Sequence, residues 1–208
     1  ILKLEEVEQA KKDLPKHVFD ELYLAEPADD KSNPFGIDNI RKCYRPTTKG
    51  TVVAWGIDLA KYSDYTVIVG MDAHNCVAYV DRFQADWGIT QDRIIRLIGN
   101  TPAFIDSTGV GDPIVEQIQR VCQRVKGFKF TSQSKQQLIE GLVLSVQQNS
   151  VFFPEEPIGS EMENFEFEYT RTGVRYTAPS GLHDDCVMAL ALAVDCKSHN
   201  RPGTFYFA

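Results

Sequence analysis

Residues 52–72 read VVAWGIDLAKYSDYTVIVGMD, and this stretch decides the fold that we predict for the rest of the chain. It begins as an apolar strand that ends on a carboxylate, Asp58, and a polar turn separates it from a second strand, Tyr65 to Met71. Because side chains alternate along a strand, Ala54, Gly56 and Asp58 share one face. An acid that closes an apolar strand is costly to bury alone, so Asp58 must be solvated, paired or bound to a cation.

The composition predicts one globular domain with an appendage. The 208 residues are 43% hydrophobic and 11% aromatic, which is enough to bury one full core. With 22 basic and 29 acidic residues the net charge is −7, which argues against a protein that holds nucleic acid by bulk charge. The five cysteines have no CxxC or zinc-finger spacing, and we interpret them as reduced thiols, mostly in the core. The longest apolar run, Cys186 to Val194, is too short for a membrane span, so no membrane association is expected.

Residues 1–50 differ in composition from the rest of the chain, and we predict that they form a linker or arm. Short amphipathic segments lead into Glu26 to Gly36, whose prolines and charges are typical of a linker. The chain begins at Ile1 rather than Met, which fits a fragment of a longer protein. A solvated arm without its own function and a tether from a preceding domain are both open interpretations. Residues 51–208 form the main predicted domain.

The main domain has the pattern of an α/β fold. Three strands in an antiparallel meander come first, and strands then alternate with helices. A hairpin around Gly173 and a buried, Ala-rich helix from His183 to about His199 follow. The predicted strands are 52–58, 65–71, 76–83, 103–106, 128–130 and a stub at 151–153, and the other predicted helices are 90–98, 114–124 and 134–149. This order predicts a mixed sheet with helices on both faces.

Acids from three parts of the chain are candidates for one site. Asp58 and Asp106 each end a strand, and in α/β sheets chemistry collects where strand ends converge. Asp184 and Asp185 open the last helix, where an Asp ordinarily caps free amides, although the second of two adjacent acids cannot also be the cap. With no Arg or Lys nearby, such carboxylates would repel one another and take up protons. Oxygen ligands of this kind favour Mg²⁺ or Mn²⁺, and two such ions about 4 Å apart can promote hydrolysis of a phosphodiester.

The acidic motifs, in their order and spacing, resemble those of a known family. They read GIDLAKYSDYTVIVGMD, AFIDSTGVGD and GLHDDCVMALALA. Through them, residues 51 to about 196 are similar to the nuclease domain of phage terminase large subunits, which has an RNase H-like (RuvC-type) fold. The residues from Phe19 to Leu24 and from Phe35 to Cys43 resemble the segment that leads out of the packaging ATPase in the same proteins.

The resemblance implies a function and a set of partners. It implies a metal-dependent endonuclease that cuts concatemeric viral DNA when genome packaging starts and ends, in the cytoplasm of the infected host cell. The implied partners are double-stranded DNA, the packaging ATPase domain of the same polypeptide, a portal ring and a small terminase subunit.

The resemblance also implies roles for individual acids. Asp58 would bridge two Mg²⁺ or Mn²⁺ ions, and Asp106 would hold one of them. Asp184 and Asp185 would complete the site, and we favour Asp185 as the closer ligand. His183 would either assist a metal-bound water or orient an acid, and we favour the second role because a lone His beside acids more often supports a ligand.

Other polar residues have two open interpretations each. Asp64 is either a turn residue, which we favour, or a group that supports the metal ligands from outside. Lys135 begins a helix whose start would face the site, although an exposed surface lysine is the favoured interpretation. Arg171 and Arg175 flank the hairpin turn and would either contact DNA phosphates or be solvated edge charges.

Other function classes remain to be weighed. No GxxxxGK[ST] motif occurs, so ATP hydrolysis by a P-loop is not expected. Actin-like and sugar-kinase ATPases share the fold, but Ala60 stands where their phosphate loop needs glycine, and the chain is short for their two domains. A docking module with an inactive site is the remaining alternative. Metal binding at Asp58 and Asp106 distinguishes a nuclease from such a module. For a nuclease, the net acidity predicts weak DNA binding without sequence preference.

Overall fold

A computed structural model describes residues 3–26, 33–59, 65–109, 111–170, 173–179 and 181–200. Its main sheet has five strands in the order β3-β2-β1-β4-β5, and a separate hairpin has two. The strands are β1 (Val52–Asp58), β2 (Thr66–Asp72), β3 (Val77–Phe83), β4 (Ala103–Asp106), β5 (Val125–Phe128), β6 (Glu166–Thr170) and β7 (Gly173–Thr177). The first three strands pair antiparallel, whereas β4 and β5 run parallel to β1. The predicted mixed sheet with a meander and a hairpin is therefore confirmed.

Helices cover both faces of the sheet. They are α1 (Leu4–Asp13), α2 (Lys16–Phe19), α3 (Ile37–Lys42), α4 (Trp87–Ile98), α5 (Gly111–Gln119), α6 (Ser132–Gln147), α7 (Ser160–Glu163) and α8 (Asp185–His199). Wide π-type turns at Asp20–Leu24 and Glu155–Gly159 adjoin α2 and α7. One apolar cluster joins the sheet to α6 and α8, and a second cluster joins it to α4 and α5. In the described part of the chain, no helix combines the length and the apolar character needed to cross a bilayer.

The alternation predicted for β1 decides which face carries the acids. Ala54 packs in the cluster beneath α6 and α8, whereas Trp55 and Ile57 pack in the cluster beneath α4 and α5. Gly56 lies directly under α8, because a Cβ added there would meet the backbone of Ala189 and Ala193. By the same alternation, Asp58 belongs to the face that α8 covers.

The strand registers align polar residues across the sheet on that face. Asp58 is opposite Val67 of β2, and Val67 is opposite Arg82 of β3. On the other side, Ile57 is in register with Ile105 of β4. One residue further along both parallel strands, Asp58 comes beside Asp106. The row Arg82, Val67, Asp58, Asp106 therefore crosses four strands on one face of the sheet.

Some predicted boundaries are wrong. The strand predicted at 128–130 is β5 at Val125–Phe128, because Val125 pairs with Ala103 and the following residues continue that parallel ladder. The helix predicted at 114–124 ends at Gln119, since residues 120–124 form the turn that leads into β5. The stub predicted at 151–153 consists of isolated bridges, from Phe152 to Cys76 and from Phe153 to Tyr44.

Part of the predicted arm belongs to the core. Phe35, Ile40 and Cys43 are fully buried in the cluster that contains α6 and α8. Asn33 also donates to the carbonyl oxygens of Met162 and Glu163, at 2.7 and 3.1 Å. The segment 33–45 is therefore packed rather than a solvated arm. The division at residue 50 into an ATPase tail and a nuclease domain stays a prediction.

Candidate metal centre

Two carboxylates end the central parallel strands. Asp58 is half-buried at the end of β1, and Asp106 is only 3% exposed at the end of β4. The loop after β4 turns back at once, and the backbone amide of Thr108 donates to Asp106 Oδ1 at 2.8 Å. This bond fixes the Asp106 carboxylate at the edge of the sheet.

Two more carboxylates stand at the start of α8. Asp184 occupies the N-cap position, but its side chain makes no capping hydrogen bond. Instead, Asp184 Oδ2 accepts from Lys135 Nζ at 3.0 Å. Asp185 is the first residue of the helix and is 7% exposed. Capping of a helix is the ordinary role of such acids, and it therefore does not explain the position of the Asp184 side chain.

Electrostatics shows that the other three carboxylates act on Asp58. Although Asp58 as a whole is half-buried, its carboxyl is enclosed by protein, and this is the main reason why its pKa is raised well above its usual range. The negative charges of Asp106, Asp185 and Asp184 raise it further, and the ammonium of Lys135 opposes them. The acids predicted from three parts of the chain are therefore brought together, and each disfavours ionisation of Asp58.

The chemistry of this group of oxygens fits a divalent cation. Carboxylate oxygens are the ligands that Mg²⁺ and Mn²⁺ prefer, and a bound cation would remove the repulsion that Asp58 experiences. Among the described residues, no three His, Cys, Asp or Glu side chains form a ready-made set of metal ligands.

Two residues of this site, Arg82 and Glu161, were missed by the sequence analysis. Arg82 Nη1 is 3.1 Å from Glu161 Oε1, and Arg82 Nη2 is 4.0 Å from Asp185 Oδ2. Glu161 Oε2 accepts from the backbone amide of Cys186 at 2.7 Å. The expectation that no Arg or Lys lies near the carboxylates is therefore wrong, because Arg82 and Lys135 both adjoin them. The meander register would have pointed to Arg82, but no sequence pattern indicates Glu161 on its four-residue helix.

Aromatic and imidazole rings adjoin Asp185. His183 Nδ1 is 3.5 Å from Asp185 Oδ2, and the ring of Tyr65 meets the ring of His183 edge to face at 5.6 Å. The guanidinium of Arg82 lies over the Tyr65 ring, 4.2 Å from its centre. This position suits the predicted role of His183 in orienting an acid, which stays a prediction.

A cavity of about 820 Å³ opens between the start of α6 and β7. Its walls include Lys135, which is half-buried against Asp184 rather than on the open surface as the favoured interpretation had it. Arg175 on β7 is exposed and lies in the same wall. Asp64 and Arg171 fall outside the described residues, as does Ala60.

The order of the strands in the sheet and its helices define an RNase H-like fold, with acids at the ends of β1 and β4 and at the start of α8. No protein-family model and no curated protein matches the sequence. Among solved structures, the large terminase nuclease from the thermophilic phage G20c with bound magnesium is 27% identical, at a TM-score of 0.66. That match covers 81% of this chain and 98% of the other.

Further terminase structures have the same fold. The large terminase nuclease domain of Thermus phage P74-26 is 23% identical, with 76% of this chain and 92% of that chain covered and a TM-score of 0.64. The large terminase from the thermophilic bacteriophage D6E is 9% identical, at a TM-score of 0.71, and the match covers 94% of this chain but 53% of that one. The resemblance to large terminase nuclease domains, predicted from the three acidic motifs, is confirmed.

Proposed function

We propose that this chain is a metal-dependent DNA endonuclease, the nuclease domain of a phage terminase large subunit that cuts concatemeric DNA during genome packaging. The observation that carries the proposal is the group of carboxylates at one sheet edge, where Asp106 and the start of α8 lie around Asp58 and raise its pKa. The likeness to a terminase nuclease with bound magnesium supports the same conclusion.

Four residues would hold the metal. Asp58, at the centre of the group, would contact two ions, and Asp106 and Asp185 would each contact one, with Asp184 as a further ligand. When bound, Mg²⁺ or Mn²⁺ would lower the pKa of a coordinated water and stabilise charge on the leaving oxygen of the phosphodiester.

The protein's own residues prepare this site. Asp106 is held by the Thr108 amide and Asp184 by Lys135, so both carboxylates have defined positions before any metal binds. Burial of Asp106 and Asp185 removes water that would weaken their interaction with a cation. His183 lies beside Asp185 and would keep that carboxylate oriented.

The substrate would be double-stranded DNA. The cavity between α6 and β7 lies next to the acids through Lys135, and Arg175 adds a second cation to its wall. Contacts from such side chains to phosphate oxygens position DNA without reading its sequence. A net charge of −7 disfavours tight binding by this chain alone, which fits a domain that acts with a packaging ATPase, a portal ring and a small terminase subunit.

A plasmid-nicking assay tests the proposal. Asp58→Asn and Asp185→Asn are compared with the parent protein in Mn²⁺, with and without chelator, and both should lose nicking. Asp195→Asn is the matched control, because Asp195 is on the same helix about 15 Å from Asp185 and should keep nicking. Full activity of Asp58→Asn would remove the mechanism. A parent that neither nicks DNA nor binds Mn²⁺ in calorimetry would favour the docking module.

A further inference from the structure

Arg82 is a cation on the same face of the sheet as the metal-binding acids. It is opposite Val67, and Val67 is opposite Asp58, so Arg82 stands two strands away from the proposed centre of the site. Its side chain is 26% exposed and packs its guanidinium 4.2 Å from the centre of the Tyr65 ring. A cation placed so close to a metal site competes with the metal unless something restrains it.

Glu161 provides that restraint. The shorter ion contact of Arg82 is to Glu161, at 3.1 Å, whereas its distance to Asp185 is 4.0 Å. Both contacts are ion pairs, and the attraction between opposite charges is stronger at the shorter distance, so Arg82 is drawn mainly towards Glu161. Glu161 is thus the carboxylate that Arg82 approaches more closely, and it holds the guanidinium away from Asp185.

Glu161 also fixes the start of α8. Its second oxygen accepts from the backbone amide of Cys186 at 2.7 Å, and Cys186 directly follows Asp185. Amides in the first turn of a helix have no partner within the helix, so a carboxylate that binds one holds the helix end in place. One side chain therefore sets both the backbone position of Asp185 and the distance of the nearest arginine.

We propose that Arg82 and Glu161 are positioning residues for Asp185, and that Glu161 keeps Arg82 from closing onto Asp185, where it would compete with the divalent cation. The inference rests on the proposed function, because it assigns these residues to the same metal site. Loss of the Glu161 charge would let Arg82 move onto Asp185 and weaken metal binding. Loss of both charges would remove the competitor together with its restraint.

Calorimetric titration of Mn²⁺ into the whole chain tests this. Glu161→Gln keeps an oxygen for the Cys186 amide but loses the charge that holds Arg82, and it should weaken Mn²⁺ binding about tenfold. The double variant Arg82→Gln/Glu161→Gln should bind Mn²⁺ within about threefold of the parent. Glu163→Gln, on the same helix but paired with Arg41 and Tyr44, is the control and should bind as the parent does.

Nicking rates measured against Mn²⁺ concentration give a second readout. Glu161→Gln should raise the Mn²⁺ concentration needed for half-maximal nicking by a larger factor than it lowers the nicking rate at saturating Mn²⁺. Thermal melting without metal shows whether each variant is folded. Arg82→Met, which removes the cation and keeps a long side chain, serves as partner in the double variant should Arg82→Gln fail to fold.

Two results would overturn the inference while leaving the nuclease proposal intact. One is a folded Glu161→Gln variant that binds Mn²⁺ as tightly as the parent. The other is a double variant as weak as Glu161→Gln, which would show that Arg82 is not the competitor. A parent that neither binds Mn²⁺ nor nicks DNA would instead overturn the proposed function, and this inference with it.

Discussion

Gly56 in β1 lies so close to α8 that a Cβ on residue 56 would stand 2.1 Å from the carbonyl oxygen of Ala189. The same Cβ would stand 2.2 Å from the backbone nitrogen of Ala193, so the helix backbone rests directly on the strand. Asp58 follows Gly56 by two residues on the same face, and Asp185 precedes Ala189 by about one helical turn. This contact therefore sets the separation of the two acids.

Replacing Gly56 with alanine should force α8 away from the sheet. The two backbone groups that a Cβ would strike cannot rotate aside as a side chain can, so Gly56→Ala should lower the free energy of unfolding by about 3 kcal/mol. Urea unfolding measures this. Gly141→Ala in α6 is the control, because no atom lies within 4 Å of the added Cβ and the change should stabilise by about 0.5–1 kcal/mol. Equal stability of Gly56→Ala and the parent would contradict the close approach.

The repulsion around Asp58 predicts that Asp58→Asn stabilises the metal-free protein at pH 7. Because the folded pKa of Asp58 is raised, the stability it contributes is complete below the unfolded pKa and is lost as pH rises through the folded pKa. At neutral pH the asparagine avoids that loss, and melting temperature should rise by about 2–4 °C for each kcal/mol of repulsion removed. Added Mn²⁺ should stabilise the parent and leave the variant unchanged.

Asp72→Asn is a control for which we expect the opposite change in stability. Burial raises its pKa, but hydrogen bonds from the Cys76 amide, the Thr48 hydroxyl and the His74 amide outweigh burial and lower the pKa overall. Asp72→Asn should therefore destabilise the protein at pH 7, by about 1–3 kcal/mol. If Asp58→Asn were destabilising to the same extent as Asp72→Asn, the carboxylates around Asp58 would not be in conflict.

The sequence predicted those parts of the site that depend on regular elements. Alternation along a strand places Asp58 on the face of Gly56, and the end of the next parallel strand places Asp106 beside it. The phase of a long buried helix places Asp185 against the sheet. Arg82 and Glu161 could not be paired in this way, because α7 has four residues and its position depends on a turn that no periodicity describes.

The absence of a regular period also explains why the sequence places residues 33–45 in the predicted arm. Prolines, glycine and charges around Phe35 are typical of a linker, and Phe35, Ile40 and Cys43 are too irregularly spaced to give a helical or strand period. Their burial depends on the surface that α6 offers, which is a tertiary property. Composition therefore did not predict the packing of this segment, nor the helix α3 within it.

The packing of His17 predicts that acid weakens the attachment of α2 to the hairpin. His17 is 9% exposed, stacks on Phe167 at 5.0 Å between ring centres, and has Nε2 3.0 Å from the Tyr176 hydroxyl. Burial lowers its pKa, and the charges of Glu21 and Asp20 oppose this only in part. Since the folded pKa is depressed, stability should fall as pH drops below the unfolded value of about 6.5.

His17→Phe keeps a ring on Phe167 but does not titrate, so its stability should fall less than that of the parent between pH 7 and pH 5. Urea unfolding at several pH values in this interval measures the difference. Tyr176→Phe loses the hydroxyl partner but keeps the imidazole, so it should retain the acid sensitivity. Parallel pH profiles for His17→Phe and the parent would show that protonation of His17 is not the cause.

The position of Arg175 predicts that the cavity beside the acids contacts DNA through this side chain. The residue is exposed on β7, opposite Glu168 of β6, and shares the cavity wall with Lys135. If it contacts a phosphate, Arg175→Gln should weaken DNA binding by about 2–10-fold for every sequence tested, and the slope of log affinity against log salt should fall by about one. Fluorescence anisotropy with a labelled duplex between about 50 and 200 mM salt measures both quantities.

Arg45→Gln is the control for this prediction. It removes an exposed arginine that packs on Phe152 outside this cavity, so it should leave the slope unchanged. Equal slopes for Arg175→Gln and the parent would make Arg175 a solvated edge charge of the hairpin, because a phosphate contact releases counterions whatever the sequence of the DNA.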